Sequence, residues 1–130
     1  HSEIKLIAKN KDGVAREILN LDGSGTVSIN GRLVQKVLLY TENTTAAEIL
    51  DYGIIQLEMP ENKTEMDIYL PGSNLSSDIK HGETKTFIVT ANSSRDGVFN
   101  IKTDLILLNL KQIGNTAKFL FLSGRWYYYN

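Results

Sequence analysis

The sequence predicts an all-β fold, an immunoglobulin-like β-sandwich of about eight or nine antiparallel strands. Three observations indicate it. Helical periodicity is nearly absent, apolar residues alternate with polar ones over strand-sized stretches, and Gly, Pro, Asn and Asp separate these stretches at short intervals. Because 130 residues suit one hydrophobic core better than two, a single domain over residues 1–130 is expected.

The first half of the chain is expected to form strands at residues 4–8, 14–21, 26–29, 32–40 and 53–59. Asn30-Gly31 is the strongest hairpin signal, because both central positions of a type I′ turn need positive φ. The strands on either side of it are therefore expected to pair. Asn43 or Thr44 is expected to cap a short helical turn over residues 46–48.

The second half is expected to form strands at residues 66–70, 98–110, 118–122 and 125–129, and residues 79–89 are expected to form a tight turn that leads into a further strand. In the strand that ends at Met59, alternation predicts that Ile55, Leu57 and Met59 face the core. Ile54 then shares the opposite face with Gln56.

Composition excludes several classes of function. The 14 basic and 15 acidic residues give a net charge of −1, without the basic cluster that nucleic acid or an anionic membrane surface attracts. The absence of cysteine excludes thiolate metal sites and cysteine nucleophiles. No apolar stretch approaches the roughly 20 residues that cross a bilayer, so residues 1–130 contain no candidate membrane span.

No motif for catalysis is present. His81 lies in an expected turn, and no Gly-x-Ser-x-Gly elbow presents a serine nucleophile beside it. Asp22-Gly23-Ser24-Gly25 fails the patterns of aspartic proteases, calcium loops and phosphate-binding loops, and reads as a turn between strands. Glu65 and Asp67 are expected to be solvated. We therefore expect a protein that is not an enzyme, with no cofactor and no metal.

Four Asn-x-Ser/Thr sequons fall in or beside expected loops, where an N-linked glycan needs its asparagine to be exposed. The candidate acceptors are Asn43, Asn62, Asn74 and Asn92. Turns also favour Asn, Ser and Thr for conformational reasons, so the alternative interpretation is turn chemistry without modification.

Two segments are candidate contact surfaces. A large apolar residue such as Ile54 on a polar strand face indicates a partner, so Ile54 and Gln56 are predicted to form a homodimer interface. In the final strand, Trp126 and Tyr128 share one face while Arg125, Tyr127 and Tyr129 share the other. Aromatic residues and arginine are enriched in binding hot spots, so Arg125, Trp126 and Tyr128 are candidates for a partner surface. Cross-strand packing is the alternative.

A sequon-rich, cysteine-free, Ile/Leu-rich chain with the segment Ile79–Val89 resembles the soluble domains of the F and G accessory subunits of crenarchaeal archaella. The resemblance implies an N-terminal membrane helix before His1 and a location between the membrane and the S-layer. It implies that an F-type domain dimerises, binds S-layer protein and anchors the motor as a stator component, and that the F and G subunits are partners. A G-type domain would be a structural subunit of a filament or pilus. A carbohydrate-binding module that uses the C-terminal aromatic residues is a further alternative.

Overall fold

A computed structural model describes residues 3–72, 78–94 and 96–129. The described chain contains eleven strands and one short helix in three sheets, which confirms the prediction of an all-β fold. Its contacts group into two compact units, residues 1–34 and 35–130, where sequence analysis expected one domain.

The N-terminal unit is a three-stranded antiparallel sheet of β1 (Ile4–Lys9), β2 (Ala15–Leu21) and β3 (Val27–Ile29), in that order. The turn between β2 and β3 contains Asp22, whose carboxylate accepts hydrogen bonds from the backbone N–H groups of Ser24 and Thr26. These bonds, with the Ser24 hydroxyl as the largest cause, lower the pKa of Asp22. The expectation that residues 22–25 form a turn between strands is confirmed.

One face of this small sheet is apolar. Leu6 of β1 lies opposite Leu19 of β2, which lies opposite Ile29 of β3, and residues directly opposite one another share a face. The other face contains Lys5, whose ammonium group lies 3.8 Å from a Glu17 carboxylate oxygen. The two faces differ because apolar and polar residues alternate along β1 from Ile4 to Leu6.

The C-terminal unit contains two sheets and the helix. Its elements are β4 (Val37–Tyr40), α1 (Ala46–Asp51), β5 (Ile54–Met59), β6 (Glu65–Tyr69), β7 (Thr84–Asn92), β8 (Val98–Lys102), β9 (Leu107–Leu110), β10 (Thr116–Leu122) and β11 (Arg125–Tyr129). The five-stranded sheet has the order β11-β10-β7-β5-β4, and the three-stranded sheet has the order β6-β8-β9.

Strand direction corrects the sequence-based expectation of antiparallel pairing. The pairs β4–β5, β5–β7 and β6–β8 are parallel. Parallel neighbours need a crossover connection, and helix α1 lies in the connection from β4 to β5. The hairpin expected at Asn30-Gly31 was also wrong, because β3 pairs with β2 whereas β4 pairs with β5.

Helix α1 is short and begins one residue after its cap, Thr45, rather than after Asn43 or Thr44. The Thr45 hydroxyl accepts a hydrogen bond from the Glu48 backbone N–H, and the Glu48 carboxylate accepts one from the Thr45 backbone N–H. This capping box satisfies donors that the first turn leaves free. The helix buries Ile49 against the core.

The core of the C-terminal unit is one hydrophobic cluster to which both sheets contribute. Ile55, Leu57 and Met59 of β5 are buried, which confirms the inward face predicted for that strand. Phe87 of β7 packs its ring edge-on against Phe119 of β10, with the ring centres 5.8 Å apart. The position of this cluster defines an inner and an outer face for the five-stranded sheet.

Candidate functional site

The outer face of the five-stranded sheet brings residues from all five strands into rows. One row runs from β4 to β11 through paired positions: Val37, Ile54, Thr86, Lys118 and Tyr129. Paired residues in a sheet share a face, so Ile54 and Tyr129 lie on the same surface although 75 positions separate them in the sequence.

The outer face is unusually apolar for a surface directed away from the core. The alternation of the five strands places eight large apolar or aromatic side chains on it: Val37, Leu39, Ile54, Ile88, Leu120, Leu122, Tyr127 and Tyr129. Two of them, Val37 and Tyr127, are 48% and 44% exposed. When the outer face of a sheet is solvated, the strand residues that point outward are ordinarily polar. The apolar composition of this face is therefore typical of a contact surface.

Three polar residues of the outer face are joined by hydrogen bonds. The Gln56 side-chain amide donates to the Thr90 hydroxyl at 2.9 Å and to a Glu58 carboxylate oxygen at 3.2 Å. Gln56 lies beside Leu39 on β4 and Ile88 on β7. Gln56 is thus a fixed polar group between two apolar neighbours.

The dimensions of the outer face suit a protein contact. Five strands about 4.8 Å apart span about 19 Å, and six residues along a strand span about 20 Å. The projected area of the whole face, polar residues included, is then on the order of 400 Å², about the size of the largest apolar patch on a typical single domain.

The structure places some of the predicted site residues on the outer face of the five-stranded sheet and others on its inner face. Ile54, Gln56 and Arg125 lie on the outer face, whereas Trp126 and Tyr128 belong to the inner face of β11. Trp126 is only 3% exposed, so its assignment to an exposed partner surface is corrected. Its indole N–H donates to the Pro71 carbonyl at 2.9 Å, which satisfies the polar atom of a buried ring. Tyr128 is 38% exposed and contacts the Phe119 ring.

Tyr127 and Tyr129 belong to the outer face but were not among the candidate residues for it. The alternation of β11 divides the aromatic residues into two sets, but alternation does not say which set faces inward. The presence of Arg125 in the same set as Tyr127 is the signal that could have identified the outward set.

A cavity of about 320 Å³ lies at the carboxyl ends of β4 and β5, among Tyr40, Asn43, Met59, Lys63 and others. The Tyr40 hydroxyl donates to the Asp67 carbonyl at 2.9 Å. Burial is the largest cause that raises the pKa of Tyr40, and the Asp67 charge raises it further, so its hydroxyl stays protonated and remains a donor.

Glu65 and Asp67, considered above as a carboxylate pair, are bridged by one amide. The Asn100 side-chain nitrogen donates to Glu65 at 2.6 Å and to Asp67 at 2.8 Å. This hydrogen bond is the largest cause that lowers the pKa of Asp67. Both carboxylates thus act as hydrogen-bond acceptors for a nearly buried asparagine.

Within the described ranges, no group of three or more His, Asp or Glu side chains is arranged to hold a metal ion. His81 is exposed in a turn, where its Nδ1 accepts a hydrogen bond from the Ser123 backbone N–H at 3.3 Å. No helix in the described part of the chain is of a length and apolarity that would cross a membrane.

The predicted glycosylation sites have different surroundings. Asn43 and Asn62 are exposed in turns, whereas Asn92 is partly buried at the end of β7. Asn74 lies outside the described residues.

Comparison with known proteins gives little to set beside this geometry. No family model matches the chain, and no curated protein matches it. A crystal structure of residues 132–251 of StcE from enterohemorrhagic E. coli is similar over 72% of this chain and 86% of that one, with 17% identity and a TM-score of 0.47. A likeness this low carries no argument about function.

Proposed function

We propose that the chain is a non-catalytic binding domain and that the outer face of the five-stranded sheet is its binding surface. The observation that carries the proposal is the set of eight large apolar or aromatic side chains that all five strands place on the side directed away from the hydrophobic cluster. Exposed apolar area of this extent is costly in water and is stabilised when a partner covers it.

The polar composition of the same face suits a protein partner. Arg125 and Tyr127 lie at the β11 end, and both residue types are enriched in interface hot spots. Gln56 provides hydrogen-bonding groups near the middle of the sheet. Protein interfaces combine apolar, aromatic and arginine side chains with hydrogen-bonding groups, and the outer face contains all of these.

The finer form of the proposal follows from the resemblance described above. The chain is proposed to be a cell-surface domain of the archaellum accessory class that binds S-layer protein, anchors the motor and dimerises through Ile54 and Gln56. Residues 35–129 are proposed to form an immunoglobulin-like sandwich. One hydrophobic cluster shared by both sheets of this unit supports that arrangement.

Co-sedimentation with isolated S-layer sheets tests the proposal. Wild-type chain should bind saturably, and Ile54→Lys should weaken binding by about tenfold or more because it replaces an apolar side chain beside Val37 with a charge. Leu107→Lys is the matched control, since Leu107 is 62% exposed on β9 of the other sheet. Equal binding by wild type and Ile54→Lys would contradict the assignment of the surface. If Ile54→Lys instead lowers only the mass measured by light scattering, the outer face joins copies of the chain, as in a structural subunit of a filament.

Carbohydrate binding is a second candidate, favoured by the two tyrosines Tyr127 and Tyr129. They are 44% and 41% exposed on one face of β11, beside Arg125. Stacking of sugar rings on these side chains predicts that Tyr127→Ala abolishes signals on a glycan array. Tyr69→Ala, at a 41% exposed tyrosine of the other sheet, is the control. Unchanged array signals for a folded Tyr127→Ala variant would reject this candidate.

A further inference from the structure

Three of the four sequons lie at one edge of the five-stranded sheet. Strands β4, β5 and β7 are adjacent and parallel, so their carboxyl ends meet at the same edge. Asn43 follows the end of β4, Asn62 follows the end of β5, and Asn92 is the last residue of β7. The cavity that includes Asn43, Met59, Lys63 and Ala91 lies at this edge.

Asn43 and Asn62 lie in exposed turns, each of which is closed by a backbone hydrogen bond. The Thr44 N–H donates to the Thr41 carbonyl at 3.0 Å, and the Lys63 N–H donates to the Pro60 carbonyl at 3.2 Å. An ion pair between Glu42 and Lys63 joins the two turns. Both asparagines are exposed, and among the described residues neither side-chain amide takes part in a hydrogen bond.

Asn92 differs in each of these respects. Its side-chain nitrogen donates to the Gly97 carbonyl at 3.0 Å and to the Lys111 carbonyl at 2.8 Å. An amide nitrogen has two hydrogens, so both are used. Its side-chain oxygen is buried, and a Cβ added to Gly97 would lie 2.4 Å from that oxygen. The same amide that a glycan would modify therefore holds the end of β7 to residues 97 and 111.

We infer that Asn43 and Asn62 are acceptors for N-linked glycans in the folded protein and that Asn92 is not modified while the protein is folded. The donor is an oligosaccharide linked through phosphate to a membrane lipid, and the catalyst is an oligosaccharyltransferase. Transfer forms a bond between sugar C1 and the asparagine Nδ2 and breaks the bond between C1 and the phosphate oxygen. The proton lost by Nδ2 ends on the released lipid phosphate. The two glycans are then attached next to the Glu42–Lys63 ion pair, one on each of the two turns that it joins.

The test uses the unmodified chain of residues 1–130 from a host without N-linked glycosylation, incubated with an oligosaccharyltransferase and a lipid-linked oligosaccharide. Peptide mass spectrometry measures occupancy at Asn43, Asn62 and Asn92 separately, once for the folded chain and once for chain unfolded in a urea concentration that the enzyme tolerates. In the folded chain, occupancy at Asn92 should be about tenfold to a hundredfold lower than at Asn62, because modification requires opening of two hydrogen bonds. In the unfolded chain this difference should disappear.

Equal occupancy at Asn92 and Asn62 in the folded chain would overturn the inference, as would modification of Asn43 and Asn62 only after unfolding. A lack of modification at Asn43 and Asn62 in both states would also overturn it. Asn92→Gln and Asn62→Gln provide an independent comparison by urea unfolding. Only Asn92→Gln should lower the midpoint, and an unchanged midpoint would show that the Asn92 amide does not hold the strand end.

Discussion

The ammonium group of Lys85 lies 2.6 Å from the carbonyl oxygen of Leu50, in the last turn of helix α1. It also donates to the Tyr52 carbonyl at 2.7 Å. The last turn of α1 contains no basic residue, so a lysine from β7 provides the positive charge that carbonyl groups at a helix C-terminus favour. Lys85 is only 2% exposed, which makes it an exception to the apolar inner face of the sheet.

Replacement of this lysine should destabilise the fold. Lys85→Met keeps an unbranched side chain but removes both hydrogen bonds, and it should lower the free energy of unfolding by about 2–3 kcal/mol. Urea denaturation followed by tryptophan fluorescence measures this change. Lys118→Met, at an exposed position of β10, is the control and should change stability by no more than about 0.5 kcal/mol. Equal effects of the two substitutions would contradict the role of Lys85.

The pH dependence of stability should report the burial of Lys85. Burial is the largest cause that lowers the pKa of Lys85 below 10.5, and the charges of Glu83 and Asp51 oppose it. The unfolded chain therefore binds this proton more tightly, so the free energy of unfolding rises with pH between the lowered pKa and 10.5. The difference in unfolding free energy between wild type and Lys85→Met should grow from pH 7 to pH 10. Raised tyrosine pKa values act in the opposite direction near pH 10 but are present in both proteins. A difference that shrinks over this range would contradict the prediction.

Asn100→Asp should be destabilising mainly at neutral pH. The new carboxylate would lie beside Glu65 and Asp67, which now accept hydrogen bonds from the Asn100 amide. Three adjacent negative charges should cost about 3 kcal/mol at pH 7. The cost should fall toward pH 3, because a protonated carboxyl group donates a hydrogen bond. Thermal unfolding at both pH values measures it, with Gln112→Glu in an exposed turn as the control, and a cost that does not change with pH would reject the explanation.

Trp126→Phe tests the corrected position of the indole. Phenylalanine retains a ring that contacts Phe121 but leaves the Pro71 carbonyl without the indole donor. The loss should be about 1–3 kcal/mol in unfolding free energy, measured by urea denaturation with circular dichroism. Tyr127→Phe removes a hydroxyl from an exposed ring of the same strand and should have almost no effect. If Trp126→Phe were equally neutral, the indole hydrogen bond would not contribute to stability.

Adjacent isoleucines in β5 test the two faces of the sheet. Ile55 is fully buried, and Ile55→Lys should lower stability by about 4 kcal/mol or more because it places an unpaired charge in the core. Ile54→Lys should cost at most about 1 kcal/mol, since its side chain lies on the outer face. Thermal melts of the two variants measure the contrast. Similar losses for both would contradict the assignment of the outer face.

The sequence by itself determined the local features of this protein. Alternation identified the buried set Ile55, Leu57 and Met59, and turn residues marked the ends of most strands. The helical segment after Thr44 was also recognised, although the capping box of Thr45 and Glu48 was overlooked. These features depend on residues within a few positions of one another, so their pattern is visible without knowledge of the fold.

Only the tertiary structure decided which strands pair and in which direction. The parallel arrangement of β4, β5 and β7 places Asn43 and Asn62 at one edge, and the pairing of β10 with β11 places Tyr129 in the same row as Ile54. It also selected Trp126 rather than Tyr127 for the core. The physical reason is that strand pairing and the choice of inner face depend on burial against residues distant in sequence, and a period-two pattern is the same whichever neighbour a strand acquires.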